Sequence, residues 1–250
     1  MGASMTDRVM NLIISQLTEV LAADGFVRCP APDGKGEAEP GERYPTWRRA
    51  WFAATGDVEA GLNPTIMAHL LRGDGGSVGV SGWASVMSDA VAQIRAELPP
   101  LALESAASRR VPADLEGVSF GQFQYPQHVG MATIWITLES DVDYCVDRFM
   151  DSVRGPVQQW FAQRATVPGL VAMATAPTLS ALDRSNPDPV RLRGAVILAL
   201  LGGHIDEAVT LMDWYKRRDQ FHAWDSAERV EAFDAAMSTR FPEYAAARRG

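Results

Sequence analysis

Cysteine is scarce: the chain has two in 250 residues, Cys29 and Cys145. They fall in different predicted elements, so neither a disulfide framework nor a cysteine pair at zinc-ligand spacing is available. No apolar stretch reaches the roughly 18 residues of a membrane span, and no membrane partner is expected. Positive charge is in deficit, with 23 Lys and Arg against 31 Asp and Glu and a formal net charge of −8. Nucleic-acid affinity rests on cationic contacts, so nucleic acid is not expected as a partner. An acidic chain suits a basic protein partner, or simple solubility. The first apolar run is amphipathic and carries Arg8 and Glu19, unlike a signal peptide, so the cytoplasm is the expected location. Met1-Gly2-Ala3-Ser4 precedes a second methionine and is set aside as lying outside the fold.

What remains is globular in character. Hydrophobic residues make up 47% and charged residues 22%, enough for a packed core in one large domain or two small ones. Val9, Leu12, Ile13, Leu17, Val20 and Leu21 recur at helical spacing behind Thr6, which can serve as N-cap, and Asp24-Gly25 closes the helix. Residues 30–45 are rich in Pro, Gly and charge and read as a loop. Residues 46–53 then alternate as a strand, with Trp47, Arg49 and Trp51 on one side. Two arginines, Arg48 and Arg49, beside two tryptophans can hold an anionic ligand or a base; more simply, the arginine stems cover the rings of a half-exposed strand. Residues 58–67 are a further extended segment interrupted by Gly61 and Pro64. Gly73-Asp74-Gly75-Gly76 makes a hairpin turn into a strand over 77–83, since neither a Walker loop nor a dinucleotide fingerprint is in register there. A helix follows over 86–98, with Ser85 or Ser88 as cap and Pro99-Pro100 as stop.

Residues 118–138 read as two strands joined by a polar turn. The apolar face Ala132, Ile134, Ile136 and Leu138 marks the second as the middle of an antiparallel sheet. The segment opens on Gly117-Val118-Ser119-Phe120-Gly121, a match to the G-x-S-x-G nucleophile elbow. That motif needs a buried strand before the serine and a helix after it. The flanks Ala113-Asp114-Leu115-Glu116 and Gln122-Phe123-Gln124-Tyr125-Pro126 read as too polar and as strand-like, so Ser119 is expected to be an ordinary strand residue.

Further on, Ser140-Asp141 caps a helix with Val142, Cys145, Val146, Phe149 and Val153 inward, and Pro156 opens the next segment. Asp143, Asp147 and Asp151 stand four apart and form an acidic outer stripe, suited to a basic partner and not furnished with the further ligands of a metal site. Residues 185–189 form a loop and a boundary. Asp188-Pro189 opens an apolar helix, Gly202-Gly203 turns the chain, and Asp206-Glu207 begins another helix; Asp225-x-x-Glu228 resembles a capping box for a third. Trp214, Tyr215, Phe221, His222 and Trp224 are the densest aromatic cluster, a helix-packing core or a binding surface with a titratable histidine.

Two resemblances accompany this reading. Residues 17–26, a helix ending in Gly25-Phe26, and the Trp-containing strand 47–52 resemble uncharacterised bacterial domains built of a helix and a mainly antiparallel sheet. Some of these are immunity proteins of polymorphic toxin systems, which implies binding and blocking a toxin and brings no catalytic motif. The Gly202-Gly203 turn followed by an Asp-Glu-Ala helix resembles one tetratricopeptide-like helical hairpin, without a second copy at repeat spacing.

The expectation is therefore an α+β protein: a helix-and-sheet domain over 5–184 and a helical subdomain over 185–250. No cofactor and no metal is expected. The expected function is a non-catalytic, cytoplasmic protein-binding module, of immunity type, that inhibits a basic partner protein. Its candidate surface comprises Trp47, Arg49, Trp51, Asp143, Asp147, Asp151, His222 and Trp224. The alternatives are a hydrolase or transferase with a dispersed site, for which Ser119 is the one nameable nucleophile, and a small-ligand-binding protein using the Trp47–Trp51 face.

Overall fold

The structure, a computed structural model, describes residues 4–32, 46–56, 59, 61–104, 111, 113–124, 134–176, 188–217 and 225–249. Helix α1 spans Met5–Ala23 and buries Val9, Met10, Ile13, Ile14, Leu17 and Leu21; Leu12, counted with that face in the sequence, is exposed. Its N-cap is Ser4 rather than Thr6. The Ser4 hydroxyl accepts from the Asp7 N–H at 3.2 Å and donates to the Asp7 carboxylate at 2.6 Å, so Ser4 belongs to the fold. Thr6 instead donates to the Gly76 carbonyl. Gly25, at φ 83°, takes the left-handed position that ends the helix.

Six strands form one sheet: β1 (Phe26–Cys29), β2 (Trp47–Ala54), β3 (Asn63–Arg72), β4 (Val78–Met87), β5 (Asp114–Ser119) and β6 (Ile134–Ile136). Their order is β1-β2-β3-β4-β5, with β6 pairing β4 off this path. The antiparallel register sets Ala50 opposite Ala68 and Phe52 opposite Ile66, and these four, with Leu70, have no exposure. Arg48 shares their face by strand alternation and reaches Asp7 and Asn11 on α1, so α1 covers this side. The third strand runs to Arg72 because Pro64 sits near its start, where a ladder donor is not required. Gly75 and Gly76, both at positive φ, make the turn into β4. That strand continues to Met87, and helix α2 (Asp89–Glu97) starts only after Ser88, whose hydroxyl accepts from the Val91 N–H.

The expected hairpin over 118–138 is not formed. The chain leaves β5 at Ser119 directly into helix α3 (Phe120–Gln124). Strand β6 is three residues long and pairs β4 over Val78–Val80, so it is a flank of the sheet and not its middle. Ile136 is buried as expected; Leu138, assigned to the same core face, is 52% exposed, and Ala132 lies outside the described residues. Helix α4 (Val142–Ser152) buries Val142, Cys145, Val146, Phe149 and Met150. Pro156 does not open a separate helix. A π turn over Val153–Val157 absorbs its missing N–H, and the helical path runs on into α5 (Gln158–Ala162).

The C-terminal helices are α6 (Val167–Met173), α7 (Pro189–Leu201), α8 (Ile205–Lys216), α9 (Ala227–Arg240) and α10 (Pro242–Ala247). Asp188 caps α7, accepting from the Val190 N–H at 2.8 Å. Every residue of α7 from Val190 to Leu200 is buried, the mark of a helix enclosed on all sides. Gly203, at φ 76°, turns it into α8. The N-cap of α9 is Ser226; Asp225, expected in that role, is instead a buried partner of Arg193 and accepts from the Tyr215 hydroxyl at 2.6 Å. Packing divides the chain into two compact units: Met1–Val58 with Asn63–Ser85 and Gly117–Ala162, and Glu59–Leu62 with Val86–Glu116 and Gln163–Gly250. The boundary expected at 184/185 lies outside the described residues.

Candidate functional site

Ser119 sits in the strand-to-helix setting that the elbow motif demands, contrary to the sequence expectation. Strand β5 before it is buried from Leu115 onward, and α3 starts immediately after it. The polar flank misled because Glu116 is buried with two arginines rather than exposed. Yet the serine is only 1% exposed. Its N–H donates to Gln122 Oε1 at 2.9 Å, and its hydroxyl donates to the same oxygen at 3.2 Å. This is the reaching-back half of a capping box, S-x-x-Q, so the residue secures a helix start. Among the described residues no histidine or carboxylate meets the Ser119 hydroxyl, and an activated nucleophile needs such a base within hydrogen-bond reach.

Trp47, Arg49 and Trp51 share the face of β2 opposite α1. The register sets Leu71, His69 and Met67 across from them. The Arg49 guanidinium lies over the Trp47 ring at 4.7 Å, and the rings of Trp47 and His69 meet edge-on at 6.4 Å. Burial, reinforced by the Arg49 charge, holds His69 below its ordinary pKa, so it is neutral at pH 7. Trp51 is buried and its indole N–H lacks a partner among the described residues. The arginine and the tryptophan ring therefore satisfy each other, and the face is a half-buried ladder. His69 was not singled out from the sequence; only the register brings it to Arg49.

The second candidate group lies on α4. Asp143, Asp147 and Asp151 are all exposed, one turn apart, as their spacing predicts. Asp143 accepts from Gln16 Nε2 at 2.8 Å, and Asp151 pairs with Arg148 at 3.4 Å. Among the described residues no group of three or more His, Cys, Asp or Glu side chains gathers where a metal ion would sit. The same helix face carries Tyr144, 61% exposed, and Trp135 of β6 is 53% exposed. Between them lies a groove of about 330 Å³, lined by Ile134, Trp135, Tyr144, Arg148, Phe149 and Phe120 among others.

Glycines hold this groove in shape. A Cβ on Gly73 would come within 2.4 Å of the Trp135 ring, so the indole rests against bare backbone. A Cβ on Gly82 would come within 2.3 Å of the Phe120 ring, which in turn meets Phe149 at 4.9 Å between centroids. Two exposed aromatic side chains thus flank an aromatic floor, with Arg148 as the charged residue of the lining and the aspartates of α4 outside it. Trp135 and Tyr144 were missed as site residues. Tyr144 was legible, since it stands four residues before Arg148 and seven before Asp151 and so shares their outward face; the exposure of Trp135 depends on the pairing of β6. His222 and Trp224 lie outside the described residues. No helix among the described residues is long and apolar enough to cross a membrane. No protein-family profile, curated protein or solved structure matches this chain.

Proposed function

We propose that this chain is a non-catalytic protein-binding module that acts in the cytoplasm and docks a basic partner protein, as an immunity-type inhibitor does, through the face of β6 and α4. One observation carries the reading: exposed Trp135 and Tyr144 border a preformed aromatic groove, and α4, which supplies Tyr144, also carries exposed Asp143, Asp147 and Asp151 outside the groove's lining. Binding energy at protein interfaces concentrates in aromatic anchors that fill pockets, each costing about 2 kcal/mol or more when truncated. Carboxylates around such anchors add steering and select a partner of positive charge. The occupant that fits is a Lys- or Arg-bearing segment that also presents an apolar side chain to the groove.

The test is capture from cells of the source organism at two salt concentrations, with wild type, Trp135→Ala and Tyr144→Ala as baits. The reading requires a basic protein held by wild type, released by salt and lost with both variants at unchanged circular dichroism. A captured protein that is acidic, or that binds both variants equally, overturns it. The strand-to-helix setting of Ser119 favours the hydrolase alternative, while burial of its hydroxyl opposes it. An esterase screen in which the wild type turns over substrate and Ser119→Ala does not would favour that alternative.

A further inference from the structure

A second concavity, of about 430 Å³, lies between α1 and the strands β1 and β2. From α1 it is lined by Asn11, Ser15 and Thr18, which stand at i, i+4 and i+7 and so form one polar stripe, with Glu19 at its end. From the strands it is lined by Arg28 and Arg48, and by Arg49, whose guanidinium lies over Trp47 on the opposite face. Arg48 is already held in place: one amino group donates to Asn11 Oδ1, and another sits 3.5 Å from the Asp7 carboxylate. Asp7 is itself paired more closely with Arg72, at 2.8 Å, so it is shared between two guanidiniums. The Arg48 Nε is buried and has no partner among the described residues.

We propose that this pocket binds a small molecule bearing an oxyanion, phosphoryl or carboxylate, with Arg28 and Arg48 pairing its charge. The donors are of the right kind. Guanidinium groups present planar forks that match such oxygens, and the Ser15 hydroxyl and Asn11 amide add neutral donors from the facing helix. Arg28 and Arg48 are gathered here in a chain whose net charge is −8, so they are not a by-product of general basicity. Glu19, the one acid in the lining, stands where it can accept from a hydroxyl or amine on the remainder of the ligand. The volume falls in the range of small-molecule sites, about 300–1,000 Å³, and leaves room for more than a bare ion. This site is separate from the β6 and α4 face and does not depend on its docking a protein.

The probes are pyrophosphate and citrate, titrated into the full-length chain and followed by amide chemical shifts and calorimetry at low and moderate salt. The expected result is saturable binding of at least one probe, weakened by salt, with the largest shifts at 11–19 and 47–49; which probe binds more tightly assigns the oxyanion. Arg28 and Ser15 are exposed, so Arg28→Glu and Ser15→Glu leave the core untouched. Each should weaken binding at least about tenfold, because each sets a carboxylate against the anion. Arg8→Glu, with the same change of charge outside the pocket, should leave binding within about twofold of wild type. Absence of saturable binding by both probes overturns the proposal, as does binding that responds equally to Arg8→Glu and Arg28→Glu.

Discussion

Glu116 is the place where one atom-scale change should cost the most. Its carboxylate receives Arg164 Nε at 2.7 Å and Nη2 at 3.2 Å, and Arg191 Nη1 at 2.9 Å. All three side chains are at most 4% exposed. Burial outweighs the help of Glu116 and, with the nearby Arg164, holds the Arg191 guanidinium below its ordinary pKa. Glu116→Gln keeps the volume and removes the charge, leaving two buried guanidiniums facing each other. Breaking a buried pair in this way costs about 3–5 kcal/mol, against a total stability of about 5–15 kcal/mol for a typical domain. Urea unfolding followed by circular dichroism and tryptophan fluorescence should show the midpoint fall at constant slope. A companion variant, Glu116→Leu with Arg164→Met and Arg191→Met, removes all three charges together and should recover most of the loss. A Glu116→Gln loss below about 1 kcal/mol would refute the reasoning, since that is the size of a solvated surface pair.

Three smaller perturbations check other parts of the fold. Gly82→Ala drives a methyl into the Phe120 ring and should destabilise by about 1–3 kcal/mol, read as a lower urea midpoint together with a perturbed groove. His69 has a folded-state pKa below its ordinary 6.5, so stability is full above that value and falls as the pH drops through the folded one; His69→Gln should flatten the stability profile below pH 6.5. Ser119→Ala removes the buried hydroxyl bond to Gln122 and not a nucleophile, while the backbone N–H bond to Gln122 stays, and should cost about 1 kcal/mol; a loss above about 3 kcal/mol would show that its hydroxyl carries more than that one bond.

Glu116 owes its role to partners that local sequence does not record. Glu116 looks polar in a stretch that needs to be buried, and that appearance ruled out a strand at 114–119. Its two partners are 48 and 75 residues further along, and nothing local announces them. The S-x-x-Q spacing of Ser119 and Gln122 was present and carried a helix start, but the alternation of 122–125 outweighed it. The neighbourhood of Asp225 has the cap pattern and predicts a cap there. Its buried position beside Arg193 and Tyr215 is a long-range outcome, and Ser226 takes the local role.

By itself the sequence determined what depends on neighbours a few residues away. The inward face of α1, the turn at Gly75-Gly76, the Asp188 cap of α7 and the outward acidic stripe of α4 all follow from helical or strand periodicity and from backbone freedom at glycine. It also determined the α+β class, because those periodicities alternate along the chain. Tertiary structure alone decided which distant side chains meet: His69 with the Arg49 ladder, Trp135 against Gly73, Glu116 between two arginines, and Arg28 and Arg48 facing the polar stripe of α1. The physical reason is that burial and strand register act between residues far apart in the chain, where no local spacing records them.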